Sequence, residues 1–142
     1  MINQFDTILR GLRLKVTPKR IAILEILAAE AVYLSPQGIW KRMQKKFTRA
    51  GLPTVYRNLE ELSASGVVIK IVHPDRRLYY YFCPNSEHHH FVCVSCRKVE
   101  DLAFCGLDAI EKEVRRSLKG NVLFHLLQVH GRCSGCSKER SA

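Results

Sequence analysis

Two Cys-x-x-Cys pairs constrain the fold of this chain more than any other feature of its sequence. They are Cys93 with Cys96 and Cys133 with Cys136. Each pair can turn two sulfurs towards one ion, and two pairs complete the tetrahedral shell that Zn²⁺ adopts in structural sites. A redox motif would open a helix in a βαβ unit, and neither pair has that setting. We therefore predict a structural four-cysteine zinc site that joins the end of the chain to a small sheet.

Composition limits where such a chain can work. The 142 residues are 46% apolar, which is typical of a globular protein with one domain or two small ones. No stretch approaches the roughly 18 consecutive apolar residues of a membrane helix. The N-terminal sequence also lacks the basic start, apolar run and small-residue cleavage site of a secretory signal. We expect a cytoplasmic protein without membrane contact, in which the cysteines serve as metal ligands rather than disulfides.

Positive charge is concentrated in the first half of the chain. Residues 1–83 contain 14 Lys and Arg against 6 Asp and Glu, a net charge of +8, whereas residues 84–142 contain 9 against 7, a net charge of +2. A polyanion such as DNA would be attracted to the first half. The alternative is a basic surface that serves solubility alone.

The first half reads as short helices followed by a hairpin. Apolar residues at steps of three and four predict a helix over residues 2–12. Two further helices begin where a capping Thr or Ser precedes Pro, in "VTPKR" and "LSPQG". A fourth begins near Pro53 and stops at Gly66. The β-prone runs "VVIKIVH" and "RLYYYFC" then predict a two-stranded ribbon. This order is that of a winged helix-turn-helix, whose helix at Pro53 would enter the major groove of DNA.

The second half predicts a small α/β unit. The polar stretch "PNSE" at residues 84–87 indicates a hinge. Beyond it we predict strands in "HHHFVCV" and "KVEDL", a helix over residues 106–120, and a strand in "NVLFHLLQVH". The helix should bury one apolar face, formed by Leu107, Ile110, Val114 and Leu118. The predicted fold class is α+β, with a winged-helix domain over residues 1–83 and a metal-binding dimerisation domain over residues 88–142.

Three consecutive histidines at the start of the second half suggest two further metal sites. In an extended chain, His88 and His90 point to one face and His89 to the other. On the first face the nearest upstream ligand is Cys83, so we predict a regulatory site from Cys83, His88 and His90. The fourth ligand could be His73, Asp101 or Glu100. We favour His73, although a histidine near a hairpin turn could simply be solvated.

The opposite face of the histidine run predicts a possible additional site. There, Glu87 and His89 could be joined by Asp108 and His125. The competing interpretation is structural, because His125 could be packed in the core and Asp108 could simply favour the first turn of its helix. Cys105 has no partner in these schemes, and we expect a packed thiol, with an extra ligand or an oxidation site as alternatives.

Four segments resemble the ferric uptake regulator family of metal-dependent bacterial repressors. They are "LKVTPKRIAILEIL", "GLPTVYRNLEELSASGVV", "HHHFVCVSCRKVED" and "HGRCSGC". The resemblance implies a homodimer with a structural four-cysteine zinc, a regulatory metal near the hinge, and metal-dependent binding to palindromic operator DNA. It also implies that Tyr56 and Arg57 contact bases and phosphates. With the basic residues around the second helix, the predicted DNA-binding set is Thr54, Tyr56, Arg57, Lys15, Lys19 and Arg20.

The predicted regulatory site departs from the family's iron-sensing pattern. Tyr33 stands where that pattern has a His, and Tyr81 or Phe82 stands where it has an acidic ligand. What remains is similar to the family's zinc-uptake regulators. A thiolate with two imidazoles also suits Zn²⁺, whereas Fe²⁺ sensing leans on carboxylates and His. We therefore predict a zinc-responsive repressor.

Two other functions stay open. The residues of the additional site leave room for an iron- or peroxide-responsive repressor, with Fe or Mn as the second metal. A metallohydrolase, from another class, would need a general base and an open metal position. The sequence shows no separate acid/base pair, so we do not expect an enzyme.

Overall fold

A computed structural model of the protein describes residues 3–84, 88–103 and 105–138. In this part of the chain the elements are, in order, α1 (Gln4–Gly11), α2 (Pro18–Ala29), α3 (Pro36–Met43), α4 (Leu52–Ala64), β1 (Val68–Val72), β2 (Leu78–Phe82), β3 (His89–Cys93), β4 (Val99–Leu102), α5 (Leu107–Ser117), β5 (Gln128–Gly131) and α6 (Ser134–Lys138). Among these residues, no helix is long and apolar enough to cross a membrane.

The helices of the first half begin where their capping residues stand. The side chains of Asn3, Thr17 and Ser35 each accept a hydrogen bond from a first-turn N–H group of the following helix. Pro18 and Pro36 open α2 and α3, as predicted from the sequence. Each cap stabilises the fold by about 1 kcal/mol.

One core joins α1 to α4 with the β1–β2 ribbon. The two strands pair antiparallel, from Val68 opposite Phe82 to Val72 opposite Leu78. The fully buried apolar side chains of the helices are Leu9, Ile23, Leu24, Leu27, Ile39, Met43, Val55, Leu59 and Leu62. Burying each of these side chains contributes roughly 1.5–3 kcal/mol. The first half is thus a winged helix, and the α+β prediction is confirmed.

A three-stranded sheet of order β4-β3-β5 forms the second unit. Strand β3 pairs antiparallel with β4 and parallel with β5. Parallel neighbours need a crossover connection, which here contains α5. The parallel register sets Cys93 opposite Gly131, so the chain segments that follow β3 and β5 leave the sheet at the same end.

The two units contact one another through a small apolar cluster. It contains Tyr33, Ile71, Val92 and Val99, drawn from both units. The Tyr33 N–H donates to the carbonyl of Arg97 over 3.3 Å, and the Tyr33 hydroxyl lies 3.5 Å from the carbonyl of Cys93. The winged helix therefore rests on the turn that carries the first Cys-x-x-Cys pair.

The final predicted strand is shorter than expected. Only Gln128–Gly131 is a strand, and residues 121–127 are irregular. Leu123, Phe124 and Leu126 are 85%, 77% and 91% exposed. The predicted apolar face of α5 is also open, because all residues of this helix are exposed or half-buried. The apolar pattern is present as predicted, but among the described residues these side chains are left largely exposed.

Candidate functional site

The two Cys-x-x-Cys pairs meet at one end of the small sheet. Cys93 and Cys133 are buried, whereas Cys96 and Cys136 lie nearer the surface. One sulfur from each cysteine lies within 4.8 Å of the other three, and the Cys96 and Cys133 sulfurs are 3.7 Å apart. Four sulfurs at about 2.3 Å from one Zn²⁺ would be roughly 3.8 Å apart in a tetrahedron. The donor set and its spacing fit a structural zinc.

Local hydrogen bonds favour negative charge at the centre of this cluster. Burial alone would raise the pKa of the Cys93 thiol, but the backbone N–H groups of Cys96, Cys133 and Ser95 outweigh it and lower the pKa to about 6. The thiol of Cys136 shares hydrogen bonds with Cys133 and Cys93, which raise its pKa to about 12. The lowered pKa of Cys93 favours a thiolate at the buried centre of the cluster, and thiolates are the form in which cysteines bind a divalent cation.

A second cluster joins the ribbon to the small sheet. The sulfur of Cys83 lies 3.5 Å from Nε2 of His88. One ligand atom from each of Cys83, His88 and His90 lies within 4.8 Å of the other two. Asp101 Oδ1 lies 2.9 Å from His88 Nε2 and 3.8 Å from His90 Nε2. A thiolate and two imidazoles at these spacings fit three positions of a tetrahedral metal shell, and the Asp101 carboxylate lies beside both imidazoles as a candidate for the fourth.

His90 is the most distinctive member of the second cluster. Its side chain is buried, and its Nε2 has no hydrogen-bond partner among the described residues. Burial lowers the pKa of His90, and the charge of His88 lowers it further, while Asp101 opposes both. Neutral imidazole is the form that binds metal. A buried nitrogen without a hydrogen-bond partner costs about 1–3 kcal/mol of folding free energy. A bound metal would remove this cost, so Nε2 of His90 is well placed to serve as a metal ligand.

His73, which we favoured as the fourth ligand, lies at the other end of the ribbon. Cys83 continues the strand end where Phe82 pairs with Val68, whereas His73 follows Val72. Five-residue strands rising about 3.3 Å per residue separate the two ends by well over 10 Å. The His73 ring instead packs against Tyr33, Tyr79 and His130, and its Nδ1 accepts the Asp75 N–H. The alternative Glu100 carboxylate pairs with Lys98. Asp101 is thus the candidate that the structure brings to the cluster.

A third cluster stands on the opposite face of β3. His89 Nε2 lies 3.1 Å from the Cys105 sulfur and 2.9 Å from His125 Nε2. Asp108 is exposed in the first turn of α5, apart from this group, and Glu87 lies outside the described residues. The strand alternation thus separates His89 from His88 and His90 as expected.

Cys105 corrects the expectation of a packed thiol. Its side chain is exposed, and its sulfur lies 3.8 Å from His125 Nε2. No spacing pattern in the sequence links Cys105 to the two histidines, because they come from β3 and from the irregular segment 121–127. Only the tertiary fold brings these residues together.

The predicted DNA-binding residues divide into two groups. Tyr56 and Arg57 are exposed on α4, Lys15 is exposed before α2, and Thr54 and Lys19 are half-buried. Arg20 is different, because it is only 6% exposed and each nitrogen of its guanidinium group donates a hydrogen bond within the protein. That Arg20 contacts DNA stays a prediction, but in this structure three of its five N–H donors already bond within the protein.

The fold and the clustered ligands define a winged-helix protein with a metal-binding α/β unit. The model of the ferric uptake regulator family matches residues 11–130. The chain belongs to the ferric uptake regulator family, whose members are metal-responsive transcriptional regulators.

Proteins named for peroxide, iron and zinc are all similar to this chain. The peroxide operon regulator of Bacillus subtilis is 32% identical over 127 residues, covering 89% of this chain and 87% of that protein. The ferric uptake regulation protein of the same organism is 33% identical over 144 residues, covering 96% and 97%. The solved structure of a zinc uptake regulator complexed with zinc and DNA has a TM-score of 0.78 at 22% identity, covering 98% and 94%. At that identity the structural likeness shows a shared fold.

Proposed function

We propose that this chain is a zinc-responsive repressor that binds palindromic operator DNA as a homodimer. The observation that carries the proposal is the cluster of Cys83, His88 and His90, which combines a thiolate with two imidazoles and has the Asp101 carboxylate beside it. The similar fold of a zinc uptake regulator bound to zinc and DNA supports it. Membership in a family of regulators also favours this function over the metallohydrolase.

The second cluster can set the position of the winged helix. Cys83 belongs to the end of the ribbon, where its N–H donates to the carbonyl of Val67. His90 lies on β3 and Asp101 on β4. A bound divalent cation would offset the charges of the thiolate and the carboxylate and favour the arrangement in which all four groups converge. A metal that binds this arrangement more tightly than others shifts the population towards it.

Charge and position favour α4 as the DNA-reading element. Tyr56 and Arg57 lie on its exposed face, and Gln37 donates to the Tyr56 hydroxyl over 3.3 Å. Lys15, Lys19 and Arg57 line a cleft of about 400 Å³ between α2 and α4. Such a basic cleft suits a DNA phosphate.

An iron- or peroxide-responsive repressor is the second candidate. The specific observations for it are the two Bacillus subtilis relatives and the carboxylate of Asp101 in the second cluster. A thiolate ligand argues against it, because Fe²⁺ sites of sensors lean on carboxylates and imidazoles. The choice between the candidates rests on which metal restores DNA binding.

Fluorescence anisotropy tests the proposed function. A labelled duplex is first selected from random sequence with the zinc-loaded protein. Protein that retains only its structural zinc is then titrated with this duplex in the presence of Zn²⁺, Mn²⁺ or Fe²⁺. We expect Zn²⁺ to raise the affinity by about 10- to 100-fold, within the usual range of allosteric coupling. Equal activation by all three metals, or by Fe²⁺ alone, would overturn the zinc assignment.

We also propose that the third cluster is an additional metal site. Its ligands would be His89, Cys105 and His125, in place of the acidic residues predicted from the sequence. Its His125 comes from the exposed segment 121–127, so occupancy would restrain the apolar side chains on either side of it.

A homodimer would cover the apolar surface that α5 and segment 121–127 leave open. The exposed side chains of this surface are Ile110, Leu118, Leu123, Phe124, Leu126 and Leu127. Replacing Leu126 by Asp should weaken the dimer at least about 100-fold, because a buried Leu contributes roughly 1.5–3 kcal/mol in each protomer. Sedimentation velocity would measure this change. The control Val72→Asp alters an exposed apolar residue on the ribbon, and equal effects of both variants would contradict the assignment.

Lys15→Gln should weaken DNA binding through the phosphate backbone. Each lost phosphate contact makes the negative slope of log affinity against log salt shallower by about 0.9. A dimer loses two such contacts, so its slope should become shallower by roughly 2. The affinity should fall for selected and random duplexes alike. Lys112→Gln, which removes an exposed charge from α5, serves as the control and should leave the slope unchanged. An unchanged slope for Lys15→Gln would remove Lys15 from the interface.

A further inference from the structure

The buried polar residues of the winged helix form a single network. Among the described residues, the buried polar or charged side chains are Arg20, Asn58 and His90, and the first two bond to each other. Arg20 Nε donates to Asn58 Oδ1 over 3.1 Å. Its Nη1 donates to the carbonyl of Lys15 over 2.9 Å, and its Nη2 donates to the carboxylate of Glu61.

This network ties two segments to α4, the proposed recognition helix. Asn58 and Glu61 lie on α4, and Asn58 Nδ2 donates to the carbonyl of Thr54 over 2.9 Å. Arg20 lies in the first turn of α2, and Lys15 lies in the segment before it. The network therefore connects the backbone at Lys15 to α4 through Asn58 and Glu61.

The chemistry of the guanidinium group makes this connection specific. A buried charge persists only when it is paired and hydrogen-bonded, and here each nitrogen of Arg20 has a partner. The planar fork reaches three acceptors in fixed directions, which a lysine ammonium cannot reproduce. The residues that this fork connects line the same cleft as Lys15, Lys19 and Arg57.

We propose that Arg20 is a positioning residue for DNA recognition. It holds Lys15 and α4 in one fixed arrangement. In this arrangement Lys15 can contact a DNA phosphate while the side chains of α4 contact the bases. The inference rests on the proposed DNA-binding function. It assigns Arg20 to sequence discrimination, whereas the long-range attraction of DNA depends on the exposed Lys and Arg side chains.

Arg20→Lys and Arg20→Gln test this role in the full-length, zinc-loaded protein. Affinities for the selected duplex and for a random duplex are measured across a salt series. We expect both variants to lose at least tenfold in affinity for the selected duplex. Affinity for the random duplex should change less than twofold, and the salt slope should stay as in wild type. Zinc content and circular dichroism of each variant report its folding.

Three outcomes would overturn the inference or its basis. Wild-type affinity in Arg20→Lys would show that charge alone matters. A salt slope reduced by about 0.9 per subunit would show a direct phosphate contact. A wild-type protein that does not discriminate between the duplexes would instead refute the proposed function, leaving the role of Arg20 without a basis.

Glu61→Gln provides a second test if the Arg20 variants do not fold. The Glu61 side chain is 47% exposed, so its replacement should be tolerated. Removing an acidic charge from a DNA-binding face should strengthen binding if electrostatics alone operates. The inference predicts the opposite sign, with affinity for the selected duplex reduced about threefold or more. Stronger binding by Glu61→Gln would contradict it.

Discussion

Cys93→Ser is expected to release the proposed structural zinc and unfold the small α/β unit. Cys93 is buried at the centre of the four-cysteine cluster, and its sulfur accepts the N–H groups of Cys96 and Cys133. Zinc binding by comparable sites contributes an apparent 10–16 kcal/mol, about as much as or more than the whole stability of a typical domain. Zinc per chain should fall by one equivalent, as measured by mass spectrometry of the metal.

Unfolding of the small unit should also affect the winged helix. Tyr33 contacts the backbone of Cys93 and Arg97, so the loss of this turn removes a surface on which the first half rests. Ser95→Ala alters an exposed side chain in the same turn and is the matched control. Cys93→Ser protein with a full zinc equivalent and an unchanged melting temperature would show that the cluster is not a metal site.

Cys83→Ser is expected to abolish the response to regulatory zinc while leaving the structural zinc in place. Even partners outside the ligand shell change metal affinity by about 10–100-fold, so loss of a thiolate ligand should cost at least about 100-fold. Competition with a chelating indicator would measure the affinity of the second zinc. DNA binding at limiting zinc should fall in parallel.

His73→Gln is the matched control for Cys83→Ser. His73 lies at the far end of the ribbon, among Tyr33, Tyr79 and His130. The second zinc should therefore bind this variant with wild-type affinity. A Cys83→Ser protein that responds fully to zinc, or a His73→Gln protein that does not respond, would refute the assigned ligand set.

Local chemistry was sufficient to predict most of the secondary structure. Thr17 and Ser35 cap their helices because an N-cap needs only a side-chain oxygen near the first turn. The separation of His89 from His88 and His90 follows from strand geometry alone. These features depend on residues within a few positions of one another, so the printed sequence contains the information that determines them.

The features that escaped prediction depend on distant parts of the chain. Arg20 is the same residue type whether it faces DNA or the core, and only its contacts with α4 reveal its burial. Cys105 joins two histidines that lie far from it in sequence. His73 and Cys83 lie at opposite ends of the ribbon, because Val72 pairs with Leu78 and Val68 with Phe82. This distance depends on the register of the two strands, which the sequence spacing of the two residues does not give.

Segment 121–127 shows a different kind of limit. Its apolar residues predict a strand, but they are exposed in the single chain and gain a packing partner only if a second chain covers them. A pattern of apolar residues indicates that a surface becomes buried. It does not show whether the same chain or another chain provides the cover.

Coupling between zinc and DNA is the central claim, and reciprocal titration tests it most directly. The affinity of the second zinc is measured by indicator competition, with and without the selected duplex at saturation. If the cluster of Cys83, His88, His90 and Asp101 controls DNA binding, the duplex must raise zinc affinity by the same factor as zinc raises DNA affinity. We expect both factors to be about 10- to 100-fold and equal. A zinc affinity that the duplex leaves unchanged would contradict the proposed mechanism.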